Sequence, residues 1–197
     1  MKKVFKLFCF ICVLTASLLP AVGQKRTTSN QKVTTEARTF DYGTIDGQLY
    51  TNNFLGIRFT VPADWKIEER EKEKGYPDAP KILLFAEFSE NPAKRYASFL
   101  CVARKIPVKQ KSLTPKKALE AMIAEPEDGV SKNVLVEKLG SNTFVYIEKI
   151  SAENKKRMYA VTKNGYLILF SFMYLEERDL ETMKQILAKA DFTRRKS

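Results

Sequence analysis

The residues of this chain that could carry out chemistry are few, and their types exclude several kinds of active site. Among the 197 residues there is no histidine. Without an imidazole, neither a Cys-His pair nor a Ser-His-Asp triad can form, and histidine-based zinc sites are excluded as well. The best candidate acidic cluster is Glu125, Glu127 and Asp128, which follows a helical pattern and which we interpret as a polar helix stop. We therefore predict no catalytic residue, no cofactor and no metal ligand.

The amino terminus predicts export. A basic start at residues 2–6 precedes an apolar run from Leu7 to Leu19, and small residues end at Gly23, as in a cleaved signal peptide. The apolar run is shorter than the roughly 20 residues of a membrane-spanning helix. We predict a signal peptide at residues 1–23 and a periplasmic or extracellular protein.

Cysteine chemistry is limited to one residue of the exported chain. Only Cys101 remains after cleavage near Gly23, so no disulfide can form within the chain. In the strand pattern of residues 98–106, Cys101 shares a face with Phe99 and Ala103. We interpret it as a small buried hydrophobic residue and not as a nucleophile.

The charge of the chain points to anionic partners only as an alternative. The formal net charge of +11 falls to +8 when the three lysines of the signal peptide are removed. Basic clusters lie at residues 25–26 and 194–196, whereas Lys105, Lys109 and Lys111 are scattered. The terminal clusters favour peripheral contact with an anionic membrane or envelope surface. No basic motif with interleaved aromatic residues is present, which argues against nucleic acid as a partner.

The polarity pattern divides the exported chain into three parts. Residues 24–38 are polar without an apolar period, and residues 41–47 have turn-forming composition, so residues 24–47 are predicted to be a flexible tether. Residues 48–192 carry the apolar patterns of one domain. Residues 193–197 form a basic tail.

The first strong strand pattern begins the domain. Ile57, Phe59 and Val61 alternate with Arg58 and Thr60. In a strand, successive side chains point to opposite faces, so the apolar set shares one face and the polar set the other. We predict a strand with one buried face.

The residues around this strand predict its turns and its end. Asn52 tolerates turn conformations, and Gly56 permits a bulge or a close backbone approach. Pro62 removes a hydrogen-bond donor and ends the strand. Trp65 then folds back as a core residue, in preference to a ligand-stacking role. With Tyr50 and Phe59, these residues are predicted to define the fold.

The same segment resembles the opening of PsbP-like domains, in which Y-x-N, a glycine, alternating apolar residues and P-x-x-W follow one another. The resemblance implies an α-β-α sandwich. It implies binding more readily than catalysis, because bacterial relatives include periplasmic envelope proteins and chaperones that dock on secreted effectors. The metal and photosystem roles of the plant members are not carried over. The matching residues are Tyr50, Asn52, Leu55, Gly56, Ile57, Phe59, Val61, Pro62 and Trp65.

The remaining apolar patterns predict an α+β fold, an antiparallel β-sheet with helices packed on it. Thr114-Pro115 opens the first helix, with threonine as its cap. Asn164-Gly165 is a two-residue hairpin turn. The strand patterns cover residues 82–88, 97–106, 134–139, 143–150, 157–163 and 166–174. The last helix has an apolar stripe of Leu180, Met183, Leu187 and Ala190.

A charged run from Glu68 to Pro80 is interrupted by glycine and proline, and we predict a long surface loop there. Long loops are disproportionately functional, so this loop is the candidate partner-binding site. Its candidate residues are Glu68, Arg70, Lys74, Gly75 and Tyr76.

Taken as a whole, the sequence predicts an exported non-enzymatic binding module that engages a protein partner in the cell envelope or secretion pathway. One alternative is electrostatic association with an anionic envelope surface. Another is a hydrolase built on carboxylates, although spacing locates no carboxylate pair.

Overall fold

The computed structural model describes residues 40–68, 79–91, 95–124, 129–151 and 154–193, with the backbone alone at 89–91. The predicted signal peptide, the tether up to residue 39 and the tail from residue 194 lie outside the described residues. So do residues 69–78 of the predicted loop and the acidic residues 125–128.

The described residues form strands and helices in the order that the sequence patterns predict. The strands are β1 (Thr44–Asp46), β2 (Leu49–Asn52), β3 (Ile57–Thr60), β4 (Lys66–Ile67), β5 (Lys81–Asn91), β6 (Arg95–Lys105), β7 (Leu135–Leu139), β8 (Asn142–Ile150), β9 (Lys155–Lys163) and β10 (Tyr166–Tyr174). The helices are α1 (Pro115–Ile123) and α2 (Glu177–Ala188), and a short 3-10 turn covers Val108–Gln110.

Two antiparallel sheets are present. The main sheet has the order β4-β5-β6-β10-β9-β8-β7, and a small sheet has the order β1-β2-β3. The almost wholly apolar β10 lies in the interior of the main sheet, paired along its length with β6 and β9. A central strand with apolar residues on both faces needs cover on both sides. The predicted α+β fold is confirmed.

Each face of the main sheet is covered by different elements. On one face, the small sheet and α2 bury an aromatic core in which Phe59 packs edge-on against Phe99, with ring centroids 5.4 Å apart. On the other face, α1 places Leu119 against Ile147 and Leu167. Thr114 caps α1 as predicted, because its Oγ1 accepts a hydrogen bond from the Lys117 amide at 3.2 Å.

The register of the main sheet defines two ends, which we call the Lys105 end and the Tyr174 end. Tyr166 pairs with Lys105 and Lys163 at the first, and Tyr174 pairs with Ala97 and Lys155 at the second. The first described residue, Phe40, lies at the Lys105 end, with its ring centroid 5.4 Å from that of Tyr166.

The folded domain begins earlier than the predicted start at residue 48. β1 pairs with β2, and the Tyr50 hydroxyl donates a hydrogen bond to the Tyr42 carbonyl at 2.9 Å. The turn-forming composition of residues 41–47 therefore describes a hairpin and not a tether. The aromatic rings of Phe40 and Tyr42 pack edge-on with their centroids 5.0 Å apart, so this segment contributes to aromatic packing.

Candidate functional site

The residues that carry the sequence resemblance lie in the interior. Tyr50, Phe59 and Trp65 are buried in the main core. Asn52 is also fully buried, and its side chain accepts a hydrogen bond from the Leu55 amide at 2.8 Å, which closes the β2–β3 turn. Burial raises the pKa of the Tyr50 phenol well above its ordinary value. These side chains hold the fold together and present no surface to a partner.

Gly56 and Pro62 complete the same unit. Gly56 has a φ of +65°, and a Cβ at this position would collide with the Thr193 carbonyl oxygen. Gly56 therefore permits a close backbone approach, as predicted. The approach brings Thr193, the last described residue, against the β2–β3 turn. Pro62 follows β3 and is partly exposed. Its neighbour Val61 donates its amide to the Gln48 carbonyl at 2.9 Å.

The predicted partner-binding loop is described only at its beginning. Glu68 is half-buried, and its amide donates to the Phe85 carbonyl at 3.1 Å, because the short strand β4 pairs with β5 just before it. Glu68 therefore directly follows β4 and is tied to β5 by its backbone. Arg70, Lys74, Gly75 and Tyr76 lie outside the described residues.

Cys101 lies in the centre of β6 and is completely buried. Burial raises the pKa of its thiol well above the ordinary value, because a thiolate would lose its hydration there. A thiol held in the neutral form is a poor nucleophile. The packing role predicted for Cys101 is confirmed.

A group of charged side chains lies where β7, β8 and β9 meet α2. The Arg157 Nη2 atom on β9 lies 2.5 Å from Glu148 Oε1 on β8, and its Nη1 atom lies 3.4 Å from Glu137 Oε2 on β7. The Tyr159 hydroxyl donates to Glu137 Oε2 at 2.5 Å. Lys184 on α2 places its Nζ 2.9 Å from Glu137 Oε1. We call these five residues the Arg157 cluster.

The strand register explains why these residues meet. Glu148 and Arg157 are direct cross-strand partners, and both point to the face that α2 covers. Two aromatic residues flank the cluster on that face. The Arg157 guanidinium lies over the Tyr146 ring, 4.7 Å from its centroid, and the Tyr174 hydroxyl lies 3.3 Å from Glu148 Oε1. Only 12% of the Arg157 side chain is exposed.

The surroundings shift the pKa values of Glu137, Arg157, Tyr159 and Lys184 away from neutrality. Burial acts to raise the pKa of Glu137, but hydrogen bonds from Tyr159 and Lys184 outweigh it and lower that pKa. Burial raises the pKa of Tyr159 above its ordinary value. For Arg157 and Lys184, burial acts to lower the pKa, but the hydrogen bonds that they donate to their partners raise it. Because these pKa values move away from neutrality, the cluster is poorly suited to general acid-base catalysis.

Helix α2 crosses the main sheet diagonally. Near its start, Asp179 is buried and accepts a hydrogen bond from Arg95 on β6 at 2.7 Å. At its other end it lies over the β7–β8 turn, where a Cβ on Gly140 would collide with the Ala188 carbonyl oxygen. The diagonal path leaves the β7–β8 corner of the sheet at the Tyr174 end outside the cover of α2.

Exposed apolar side chains lie at that corner. Leu135 on β7 is 40% exposed and Ile150 at the end of β8 is 53% exposed, and both point to the α2 side of the sheet. Val136 points to the α1 side and is 66% exposed. We call these three residues the β7 edge surface. Within the described residues, no strand pairs with the outer side of β7.

The described residues offer neither a metal centre nor a membrane-spanning helix. No group of three or more Cys, Asp or Glu side chains among them is placed to hold a metal ion. Neither α1 nor α2, the two helices of the described chain, is long and apolar enough to cross a membrane.

Comparison with known proteins gives matches of fold. No protein-family model matches the chain, and no curated protein matches it significantly. A solved structure from Bacteroides thetaiotaomicron is similar with a TM-score of 0.51 and 11% identity, over 78% of this chain and 51% of that chain. Cyanobacterial PsbP from Synechocystis is similar with a TM-score of 0.46 and 13% identity, over 77% of this chain and 96% of that chain. LpqN of Mycobacterium tuberculosis, which is involved in cell envelope biogenesis, is similar with a TM-score of 0.43 and 12% identity, over 70% of this chain and 83% of that chain.

These similarities concern the fold. This chain spans about half the length of the Bacteroides chain that it matches.

The candidate surfaces were not visible in the sequence. Glu137, Glu148 and Arg157 lie on three successive strands, and only the register of those strands brings them together. One indication was available: a charged residue at a core-facing position of a strand, as at Glu148 and Arg157, needs a partner.

Proposed function

We propose that this chain is an exported, non-enzymatic module that binds a protein partner in the cell envelope or secretion pathway. The observation that carries the proposal is the β7 edge surface. Of the five large hydrophobic residues that are exposed within the described chain, three lie on β7 or at the adjoining end of β8: Leu135 and Ile150 on the α2 side of the sheet, and Val136 on the α1 side. Exposed apolar side chains on neighbouring strands at one edge are typical of an interaction site, whereas single ones are ordinary.

The backbone of β7 supports binding by strand addition. An edge strand presents amide and carbonyl groups in a row, and an extended segment of a partner can pair with them. Strand order places β7 at the margin of the main sheet. Before β7 the chain pairs with β8 only through an isolated bridge between Val130 and Lys149, beside which the Ser131 side chain accepts the Glu148 amide at 3.1 Å. Pairing with a partner is therefore expected along the five residues of β7 alone.

The Arg157 cluster lies beside Leu135 on the α2 face of the sheet. Leu135 pairs with Tyr146, whose ring lies against the Arg157 guanidinium. The cluster thus holds the Tyr146 ring next to the exposed Leu135. A rigid surface loses less conformational entropy when a partner binds than a flexible one does. Fixed protonation states in the cluster fit this supporting role better than they fit catalysis.

Site-specific photo-crosslinking tests the proposal. A photoreactive amino acid at position 136 is expected to give one dominant adduct with another protein in cells that express the chain. Val108 is the matched control, because it is also exposed but lies at the Lys105 end. The adduct from position 136 should disappear when Ile150→Asp is introduced. The same adducts from both positions, or none from position 136, would contradict the proposal.

A further inference from the structure

A second surface, at the Lys105 end of the main sheet, carries a segment with several basic residues and no acidic residue. From residue 104 to residue 117 the sequence has six basic residues and no acidic one. The segment connects β6 to α1 and includes the short 3-10 turn. We call it the Lys109 loop. Its basic residues are Arg104, Lys105, Lys109, Lys111, Lys116 and Lys117.

The charges of the Lys109 loop are exposed and almost unpaired. Lys105, Lys109, Lys111 and Lys117 are exposed, and no carboxylate of the described residues lies within ion-pair distance of them. Lys116 has only a long contact, 3.8 Å, with the exposed Glu120 on the next turn of α1. An exposed pair at that distance contributes little. The loop therefore presents an unneutralised positive field to solvent.

The Lys109 loop also carries an exposed apolar side chain. Val108 begins the 3-10 turn directly after Pro107, and its exposed fraction of 72% is the largest among the large hydrophobic residues of the described chain. The base of the loop is fixed, because the Ile106 amide donates to the Gly165 carbonyl at 2.8 Å. An exposed valine with Lys105, Lys109 and Lys111 near it in the sequence has the composition of a segment that lies in the headgroup layer of a membrane.

The charge distribution works against the local fold. Helix α1 has no acidic residue in its first turn, and Lys116 and Lys117 stand there instead. The amino-terminal end of a helix carries a partial positive charge, so lysines at this position are unfavourable. A bound anion would relieve this repulsion, whereas within the described residues Lys116 has only its 3.8 Å contact with Glu120 and Lys117 has no ion pair.

From these observations we infer that the Lys109 loop docks on an anionic lipid bilayer. The lysines contact lipid phosphates, and Val108 enters the headgroup layer. A lipid surface accounts for both features, because a soluble anionic polymer would use the lysines but offer nothing apolar to Val108. Phe40 and Thr193, the first and last described residues, also lie at the Lys105 end of the sheet. This inference is independent of the β7 edge surface.

Vesicle co-sedimentation of the purified protein tests this inference. We expect binding to phosphatidylcholine vesicles that contain phosphatidylglycerol, little binding without it, and loss of binding as salt rises. Each basic residue near an anionic surface strengthens partitioning about fivefold. The variant Lys109→Glu/Lys111→Glu should therefore weaken it by at least about 25-fold. The matched control Lys66→Glu/Lys132→Glu makes the same charge change away from the Lys105 end and should weaken it far less.

A third variant separates lipid from polymer. Val108→Ser keeps the charge, and it should weaken vesicle binding about fivefold while leaving binding to polyphosphate unchanged. The inference is overturned if both double variants weaken vesicle binding equally. It is also overturned if Val108→Ser leaves vesicle binding intact, because the loop would then recognise anionic polymers. Urea unfolding midpoints show whether each variant remains folded.

Discussion

The Arg157 cluster and the Lys109 loop both concentrate charge, but they differ in how those charges are compensated. In the cluster, two carboxylates of the sheet face an arginine, a lysine and a tyrosine at hydrogen-bond distance. In the loop, Lys105, Lys109, Lys111 and Lys117 extend into solvent without such partners. The two regions lie towards opposite ends of the main sheet.

The difference separates charge that stabilises the fold from charge that is available to a partner. Half-buried charges must be paired within the protein, because removal from water is costly. Exposed charges need no partner for stability, and a one-sided set of them repels itself. We therefore expect substitutions in the Arg157 cluster to lower the free energy of unfolding, and substitutions in the Lys109 loop to alter binding while changing that free energy much less.

The largest effect is expected for Arg157→Met. The substitution leaves Glu137 and Glu148 close together without the guanidinium that neutralises them. Breaking a fully buried pair costs about 3 to 5 kcal/mol, and since these carboxylates keep partial exposure we expect about 2 to 3 kcal/mol here. Urea unfolding of both proteins measures the loss. The matched substitution Lys117→Met in the loop should change stability by less than about 0.5 kcal/mol. Equal effects would contradict the comparison.

A smaller effect is expected from acidification. The pKa of Glu137 is lowered in the folded protein from the ordinary value of 4.5. Its stabilising contribution is therefore complete above that value and is lost as the pH falls through the folded pKa. Unfolding experiments over this pH range should show a steeper loss of stability for the native protein than for Glu137→Gln.

A direct titration checks the cause of that pH dependence. Lys184 is one of the hydrogen-bond partners that lower the pKa of Glu137. An NMR titration of the Glu137 carboxyl should give a midpoint below the ordinary value, and Lys184→Met should move the midpoint upward. An unchanged midpoint would show that Lys184 does not contribute.

The sequence predicted the fold better than it predicted either charged region. The hairpin turn at Asn164-Gly165 and the burial of Phe59 follow from local chemistry, because a positive φ at the turn and a period of two are short-range properties. The Arg157 cluster depends on a register among three strands, and no local pattern specifies that register. The short strand β4 was missed because Lys66 and Ile67 form too brief a pattern.

The Lys109 loop shows a different limit of sequence interpretation. Its lysines are visible in the sequence, but as scattered charges among many others. Their significance depends on the exposure of every one and on the absence of nearby carboxylates among the described residues. It also depends on the exposure of Val108 at the start of the 3-10 turn. Each of these is a property of the folded chain.

The smallest effect is expected for Lys117→Glu, and it tests the comparison from the other side. If the charges of the loop are kept for a partner at some cost to the fold, removing one should stabilise the protein. A carboxylate in the first turn of α1 interacts favourably with the helix dipole, and we expect a gain of about 0.5 to 1 kcal/mol at low salt. Because this interaction is screened by ions, the gain should shrink as salt is added. Thermal unfolding at low and high salt measures it, with Lys66→Glu on β4 as the control outside any helix. A loss of stability would mean that Lys117 already has a favourable environment in the folded chain, and the division between supporting and available charge would then fail at this residue.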